Sequence, residues 1–241
     1  MHPRFHVPGP LAAGSSIELP PASAAHARAL RLSPEQPLIL FDGEGGEHIS
    51  RITSAGRRRI TVEVGPHDPV EREPPVAVHL YQAVGKGDRM DMAVEKATEL
   101  GAARIVPVLS ERTVVRLNDP ERAERRRRHW QAVVISACEQ CGRNTVPEVA
   151  TPIPLADAWE PMESCASRLI LEPGGEQRLG VVRPSSPTAL LIGPEGGLSA
   201  AEVETALARG FTAIGAGPRI LRTETAAIVA LALLQSAAGE I

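Results

Sequence analysis

Aromatic side chains are scarce in this sequence, whose 241 residues include three Phe, two Trp and one Tyr. Proteins that hold single-stranded nucleic acid mainly by stacking its bases need several exposed rings, so base stacking is excluded as a main source of affinity here. Charge adds no hint of such a ligand, because the formal net charge is only -3. Overall charge therefore does not mark the chain as a nucleic-acid-binding protein.

Cysteine is scarce and long apolar runs are absent. Three cysteines, Cys138, Cys141 and Cys165, do not form a disulfide framework. The first two have the spacing of a redox or zinc pair, but the sequence has no second pair to complete a zinc site, so we expect two small helix residues and no metal. No apolar run approaches the length of a membrane span, and the N-terminus has no signal-peptide core. We therefore expect a cytoplasmic protein that does not bind membranes.

Lysine is nearly absent as well, because Lys86 and Lys96 are the only lysines among 26 basic residues. Lysine carries a compact point charge, whereas arginine presents a planar fork, so two lysines in an arginine-rich chain draw notice. Both lie near the predicted helix Asp88–Leu100. They are candidate ligand contacts, although chance clustering explains them equally well.

The C-terminal third carries the clearest local signals. Ala189–Ile192 is an apolar run of the length of a buried strand. The turn Gly193–Gly197 follows it, and Ser199 with Glu202 has the spacing of a helix capping box. Gly210 stands where a helix ends in a residue of positive φ.

A second strand, a loop and a last helix complete this region. The strand is predicted at Phe211–Gly217 and the loop at Pro218–Arg222. Thr223 or Thr225 is expected to cap the helix that follows. Its segment Ala226–Leu234 is apolar almost all round, which predicts burial in the core or against another subunit.

The rest of the chain divides into two patterns. Residues 1–73 contain short apolar runs separated by turn residues and one possible helix near Ala22–Leu30, which predicts a small β-barrel. Pro69–Pro75 has the composition of a linker. From Val76 onward strands and helices alternate, so the predicted fold class is α/β, a mostly parallel sheet with helices on both faces.

Three glycine-containing loops are predicted to follow strands in this second half. They are Glu172–Gly175, Gly193–Gly197 and Gly215–Arg222. Loops at the carboxyl ends of parallel strands meet at one edge of a sheet and commonly form a small-molecule pocket. Glu172, Glu195 and Glu224 make this region acidic, with Arg219 and Arg222 as counter-charges. A ligand with positive charge, such as a sulfonium, is therefore favoured, and plain strand-turn-helix joints are the alternative.

Two longer motifs carry a family resemblance. Leu191–Leu198 and Gly217–Thr225 resemble the signature of the bacterial 16S rRNA uridine-N3 methyltransferases, the RsmE family of the SPOUT superfamily. Weaker matches lie elsewhere in the chain. They are Arg4-Phe5, His26, Leu30–Leu32, Phe41–Gly43, Glu95–Gly101, Ser110–Arg112 and Ala137–Arg143.

The resemblance implies an architecture, an activity and partners. Residues 1–73 would form a PUA-like β-barrel that positions RNA, and residues 74–241 a SPOUT methyltransferase domain with a deep trefoil knot near residues 190–234. The protein would be a homodimer that uses S-adenosyl-L-methionine to methylate N3 of a uridine of 16S rRNA in the small ribosomal subunit.

The resemblance also implies site residues. The predicted cofactor-binding residues are Leu171, Glu172, Ile192, Gly193, Pro194, Glu195, Gly196, Gly197, Gly217, Leu221, Arg222 and Thr225. Uracil N3 must lose a proton before it attacks a methyl group, so a base and an anion stabiliser are needed. Glu224 is the candidate base and Arg222 the candidate stabiliser, the alternative being a pair that only holds the loop.

The candidate RNA-binding residues lie outside the glycine loops. They are Arg4, Phe5, Lys86, Lys96, Glu139, Gln140, Arg143 and Asn144. The runs Arg57–Arg59 and Arg125–Arg128 offer possible phosphate contacts, although a charged run on a helix is more often a solvated face.

Two other functions fit the sequence. One is a SPOUT methyltransferase that acts on tRNA or on a ribose 2′-hydroxyl. The other is a catalytically idle RNA-binding assembly factor that keeps the pocket. Mapping of the methylated atom separates the first from a uridine-N3 enzyme, and loss of cofactor binding would favour the second.

Overall fold

The computed structural model describes residues 2–57, 59–117 and 119–241. Contacts divide the chain into two compact units. Unit 1 comprises Met1–Glu73 together with Cys138–Val146, and unit 2 comprises Pro74–Ala137 together with Pro147–Ile241. The sequence-based boundary between residues 73 and 74 left 138–146 in the second domain. A fragment that starts at residue 74 would therefore separate this segment from the residues it packs with in unit 1.

The elements of the first 73 residues build a mixed sheet and one helix. They are β1 (Arg4–His6), β2 (Ser16–Glu18), α1 (Pro21–Ala29), β3 (Pro37–Phe41), β4 (Glu47–Ala55), β5 (Ile60–Glu63) and β6 (His67–Asp68). The sheet order is β1-β3-β4-β5-β2, and β6 pairs with β4. β1 runs parallel to β3, whereas β3, β4 and β5 are antiparallel neighbours. The β-rich pattern and the helix predicted near Ala22–Leu30 are confirmed.

A network of ion pairs and hydrogen bonds lies in the interior of unit 1. Arg4 donates to Glu47 Oε2 at 2.6 Å, and Arg72 donates to the same oxygen at 3.1 Å. Arg4 also donates to Asn144 Oδ1 at 2.5 Å. Burial raises the pKa of Glu47, but the bonds from the two arginines outweigh it and hold that pKa below its usual value. The segment 138–146 is thus tied to the first strand by buried polar bonds.

The elements that follow residue 73 alternate between strands and helices. They are β7 (Val78–Ala83), α2 (Arg89–Glu99), β8 (Ala102–Leu109), α3 (Pro120–Cys141), β9 (Glu148–Val149), β10 (Ile153–Pro154), α4 (Leu155–Glu163), β11 (Ser167–Leu171), β12 (Gln177–Arg178), a short 3-10 turn (Leu179–Val181), β13 (Thr188–Ile192), α5 (Ala200–Ala208), β14 (Thr212–Gly215) and α6 (Thr223–Ala237). Helix α4 and the short strands β9, β10 and β12 were not predicted.

The second sheet is parallel throughout its recorded pairings. Its order is β10-β8-β7-β13-β11-β14-β12, with β9 beside β8. Central strand β13 pairs with β7 on one side and β11 on the other, and all five of its residues are buried. This is why its sequence is a continuous apolar run rather than an alternating one. The predicted mostly parallel α/β sheet is confirmed.

Helices cover both faces of this sheet. Tyr81 and Leu191 belong to a buried cluster that contains Trp159 of α4, Ala206 of α5 and nearby Phe211. Side chains alternate along a strand, so Gln82 points to the other face, where it bonds to Thr223 of α6. Helices α2 and α6 pack against each other, and α6 also contacts β7 and β13. The prediction of helices on both faces is confirmed.

The capping box and the positive φ predicted at the two ends of α5 are confirmed. Ser199 is its N-cap, and the reciprocal bonds between Ser199 and Glu202 form a capping box. Gly210 follows the helix with φ +77°. The cap predicted for α6 is wrong, because Arg222 is the N-cap and Thr223 is the first helical residue. No helix in the described ranges is long and apolar enough to cross a membrane.

Candidate functional site

A cavity of about 430 Å³ opens at the carboxyl edge of the unit 2 sheet. The loops after β11, β13 and β14 form its walls, as their positions at parallel strand ends predict. The lining residues are Arg89, Leu171, Glu172, Pro173, Ile192, Gly193, Pro194, Glu195, Gly196, Gly197, Leu198, Ala216, Gly217, Arg219, Ile220, Leu221, Arg222, Thr223 and Ala226. The volume lies within the range usual for small-molecule and cofactor sites.

Most of the predicted cofactor-binding residues meet in this cavity. Eleven of the twelve line it: Leu171, Glu172, Ile192, Gly193, Pro194, Glu195, Gly196, Gly197, Gly217, Leu221 and Arg222. Among the described residues, Thr225 and the candidate base Glu224 are outside the lining set. The three glycine loops therefore converge, while the first turn of α6 points two of its side chains elsewhere.

The turn after β13 is crowded and is held by an arginine. A Cβ added to Gly193 would lie 3.0 Å from the Leu198 amide nitrogen, closer than about nine in ten real Cβ contacts. Gly197 has φ +68°, which favours glycine. Arg112 donates to the carbonyls of Gly196 at 2.9 Å and Leu198 at 3.1 Å. The residues after β8 thus fix the backbone that lines the cavity.

A buried hydrogen-bond chain joins this turn to the start of α6. Gln82 Nε2 donates to the Thr223 hydroxyl at 2.8 Å, and that hydroxyl donates to the Gly193 carbonyl at 2.7 Å. Thr223 therefore does not cap its helix but braces the cavity wall. Gln82 and Thr223 are 1 % and 6 % exposed, so the chain is shielded from water.

The electrostatics of the cavity differ from the acidic site predicted. Glu195 accepts from Arg89 at 2.7 Å and from the Lys86 amide at 2.9 Å. Burial raises the pKa of Glu195, but these bonds outweigh it and leave the pKa below its usual value. Burial raises the pKa of Glu172, opposed by the nearby charge of Arg112. Glu195 is thus neutralised by a partner, and Glu172 remains the lining carboxylate without an ion pair among the described residues.

The two catalytic candidates have contrasting surroundings. Arg222 is exposed and lines the cavity. Glu224 is only 6 % exposed, and within the described chain its Oε2 atom has no hydrogen-bond partner. A buried carboxylate oxygen without a partner is costly and calls for an explanation. Direct proton removal in the cavity would require Glu224 to change its rotamer.

Several RNA-binding candidates lie in the interior of unit 1. Phe5 and Asn144 are fully buried, and Arg4 and Arg143 are 6 % and 3 % exposed. Arg143 donates to Glu73 at 2.9 Å, and Asn144 donates to the Val70 carbonyl at 2.7 Å. RNA contact by these four side chains would require the buried network to open. Phe5 belongs to the hydrophobic core of this unit.

The helix end beside that network is half-buried. Glu139 accepts from the His6 amide at 3.0 Å and lies 3.7 Å from the His26 ring. Burial raises the pKa of Glu139. Cys138 is buried and burial raises its pKa to about 12, so the Cys138-Cys141 pair has no reactive thiolate at its first position. Gln140 is exposed, and its RNA contact stays a prediction.

The remaining candidate cations differ in whether a nearby carboxylate already pairs with them. Lys96 bonds to Glu95 at 2.7 Å and Glu99 at 2.8 Å, and these bonds raise its pKa. Its charge is thus already matched on its own helix. Lys86 is exposed beside the cavity loops. In the run Arg125–Arg128, Arg127 and Arg128 pair with Glu124, and Arg58 of the other run lies outside the described residues.

Two arginines of this region were not predicted from the sequence, one that lines the cavity and one that holds a lining loop. Arg89, which follows β7, lines the cavity. Arg112, which follows β8, bonds to the loop after β13. The rule that parallel strands end at one sheet edge applies to these strands as well, so their loops could have been included. In the described ranges, no group of three or more His, Cys, Asp or Glu side chains is arranged to hold a metal.

Comparison with known proteins decides the family. Residues 72–235 match the RNA methyltransferase domain model, and residues 19–65 match the RNA methyltransferase PUA domain model. The ribosomal RNA small subunit methyltransferase E of Buchnera aphidicola is 31 % identical over 89 % of this chain and 87 % of its own. The chain belongs to the ribosomal RNA small subunit methyltransferase E family.

Two other members of this family match most of the chain. The Bacillus subtilis member is 31 % identical over 85 % of this chain and 83 % of its own. The crystal structure of the Neisseria gonorrhoeae member bound to S-adenosyl methionine is 40 % identical, covers 98 % of both chains and gives a TM-score of 0.91. The predicted SPOUT-type sheet domain with an N-terminal PUA domain is thereby confirmed.

Proposed function

We propose that this protein is an S-adenosyl-L-methionine-dependent methyltransferase that acts on N3 of a uridine of 16S rRNA in the small ribosomal subunit. Family membership supports rRNA methylation, and the Neisseria gonorrhoeae relative was solved with S-adenosyl methionine. The observation that carries the proposal is the convergence of three glycine loops on one cavity of cofactor size. The choice of uridine N3 rests on the signature motifs Leu191–Leu198 and Gly217–Thr225.

The residues present fit this cofactor. The turn Gly193–Gly197 exposes backbone to the cavity, and Leu171, Ile192 and Leu221 supply apolar surface for a flat ring. Glu172 offers carboxylate oxygens to hydroxyl donors. When bound, the cofactor supplies a methyl group on a sulfonium, whose positive charge an acidic side chain tolerates. Thr225 is the predicted contact that this geometry leaves out.

The residues of the chain orient the uracil and remove the proton from its N3 atom. Methyl transfer forms an N3–C bond as the C–S bond breaks, and the N3 proton leaves to a base. Arg222 at the cavity mouth is placed to stabilise the negative charge that develops on the uracil oxygens. Glu224 is the candidate base. Orientation within the cavity supplies a further part of the rate.

The direct test is mass spectrometry of small-subunit rRNA and of tRNA from a strain that lacks the gene. We expect N3-methyluridine to disappear at one position and to return when the gene is restored. Loss of a tRNA or ribose 2′-O modification instead would show another substrate. Unchanged modification of both rRNA and tRNA would favour a non-catalytic assembly factor acting in the cytoplasm on the same subunit.

Cofactor binding is expected to weaken when Gly193 is replaced by alanine. The new Cβ would meet the Leu198 amide nitrogen at 3.0 Å, so the turn must move. We expect the Kd for S-adenosyl-L-methionine, measured by calorimetry, to rise at least about tenfold, which corresponds to about 1.4 kcal/mol. Gly180→Ala is the matched control, since its Cβ would meet no described atom within 4 Å. A folded Gly193→Ala protein with wild-type affinity would contradict this assignment.

We also propose a homodimer closed in part by α6. Leu231 is fully buried within the protomer, but Leu233 on the same helix is 37 % exposed. An aspartate at position 233 would bury an unpaired charge in a dimer interface, so Leu233→Asp should halve the mass measured by light scattering. Leu207→Asp changes an exposed leucine of α5 and should keep the dimer. A wild-type monomer at micromolar concentration would disprove the dimer.

A further inference from the structure

All six aromatic side chains of the chain are buried. They are Phe5, Phe41, Tyr81, Trp130, Trp159 and Phe211, none more than 7 % exposed. Uracil N3 lies on the Watson–Crick edge, so a uridine in structured RNA must leave its stack and its pairing before N3 can be methylated. Enzymes that hold such a base commonly stack it on an aromatic ring. This protein exposes no ring for that purpose and needs another device.

Ile220 has the properties of such a device. It lies in the loop between β14 and α6, lines the cavity, and is 85 % exposed. No other large apolar side chain of the described residues is as exposed. Isolated exposed apolar residues need no explanation in general, but this one stands at the mouth of the reaction cavity. Aliphatic side chains such as Ile serve in other proteins as wedges between stacked bases.

Two free cations flank this side chain. Arg219 and Arg222 are exposed, and neither forms an ion pair or hydrogen bond through its side chain with any described residue. The other arginine of the cavity, Arg89, is occupied by Glu195 at 2.7 Å. An apolar tip between unpaired guanidinium groups matches RNA, which presents base faces and phosphates together. It matches a purely apolar protein surface less well, because both charges would then be buried.

We propose that Ile220 is the wedge that enters the RNA stack when the target uridine swings into the cavity, with Arg219 holding a flanking phosphate. The inference rests on the proposed function and adds to it the residue that keeps the base unstacked. Ile220 acts through the position of the RNA and is therefore a positioning residue. The aliphatic side chain of Ile220 takes the place of the stacking neighbour that a flanking base loses when the uridine leaves the stack.

The test compares Ile220→Ala with Ile220→Leu, which keeps an aliphatic wedge of similar volume. Single-turnover methylation is measured on small subunits purified from the deletion strain. We expect Ile220→Ala to lose about tenfold or more and Ile220→Leu to stay within about threefold of wild type. The Kd for S-adenosyl-L-methionine and the mass by light scattering should not change.

A second substrate separates a wedge from a structural role. In an RNA fragment whose residues on both sides of the target uridine are abasic, no stack has to be opened. Ile220→Ala should there recover to within about threefold of wild type. The inference would be overturned if Ile220→Ala lost the same factor on both substrates or kept the wild-type rate on small subunits. It would also be overturned if this variant had a weaker cofactor Kd that accounts for the loss, or a monomeric mass. Failure of the wild-type protein to methylate small subunits would instead refute the proposed function.

Discussion

Replacement of Arg222 by alanine is expected to lower the single-turnover rate of rRNA methylation by about 10²–10³-fold, the usual cost of losing one donor to a developing anion. Arg222 lines the cavity, is exposed, and has a guanidinium that no described residue engages. The negative charge on the uracil oxygens exists mainly in the transition state. The Kd for S-adenosyl-L-methionine should therefore change much less than the rate.

Two variants calibrate this effect. Arg222→Lys keeps a positive charge without the planar fork and should recover part of the rate. Arg183→Ala removes an exposed arginine outside the cavity and should leave the rate unchanged. If Arg222→Ala lost cofactor affinity as much as rate, Arg222 would belong to the cofactor site alone. Single-turnover measurement at saturating cofactor distinguishes the two results.

Replacement of Glu224 by glutamine is expected to reduce the single-turnover rate by about 10²-fold or more, the typical loss of a general base. The substitution keeps the size of the side chain and removes its ability to accept a proton. Glu224 is in the first turn of α6, where a negative charge stabilises a helix by only about 0.3–1 kcal/mol. A large loss of rate with a small loss of stability would therefore identify a chemical role.

The buried setting of Glu224 makes the result informative in both directions. Its Oε2 atom has no partner among the described residues, and its side chain lies outside the cavity lining. Thermal unfolding of the same protein samples measures the structural part. A wild-type rate in Glu224→Gln would show that the carboxylate only supports α6, and the proton would then leave to water.

Local sequence signals determined most of the elements. The apolar run of β13, the capping box at Ser199 and the positive φ of Gly210 depend on interactions within a few residues, so a single sequence carries them. Helix α4 and strand β4 were missed. In β4 the buried positions alternate with exposed polar ones near its centre, so no apolar run marks it.

Candidate site residues were predictable where one rule brings them together. The loops after β11, β13 and β14 meet because parallel strands end at one edge, and eleven predicted residues line the cavity there. Side-chain direction was not predictable. Thr223 braces Gly193 through a bond across thirty positions of sequence, and that partner depends on how α6 packs.

The sequence by itself determined the fold class, the alternation of strands and helices after residue 76 and the glycine loops of the site, because periodicity, caps and turn residues act locally. Only the tertiary structure decided which charges remain available. Arg89 neutralises Glu195, the interior of unit 1 occupies Arg4 and Arg143, and Arg222 stays free. The pairing of a charge depends on neighbours distant in the chain, and burial selects those neighbours by the cost of leaving an ion unpaired.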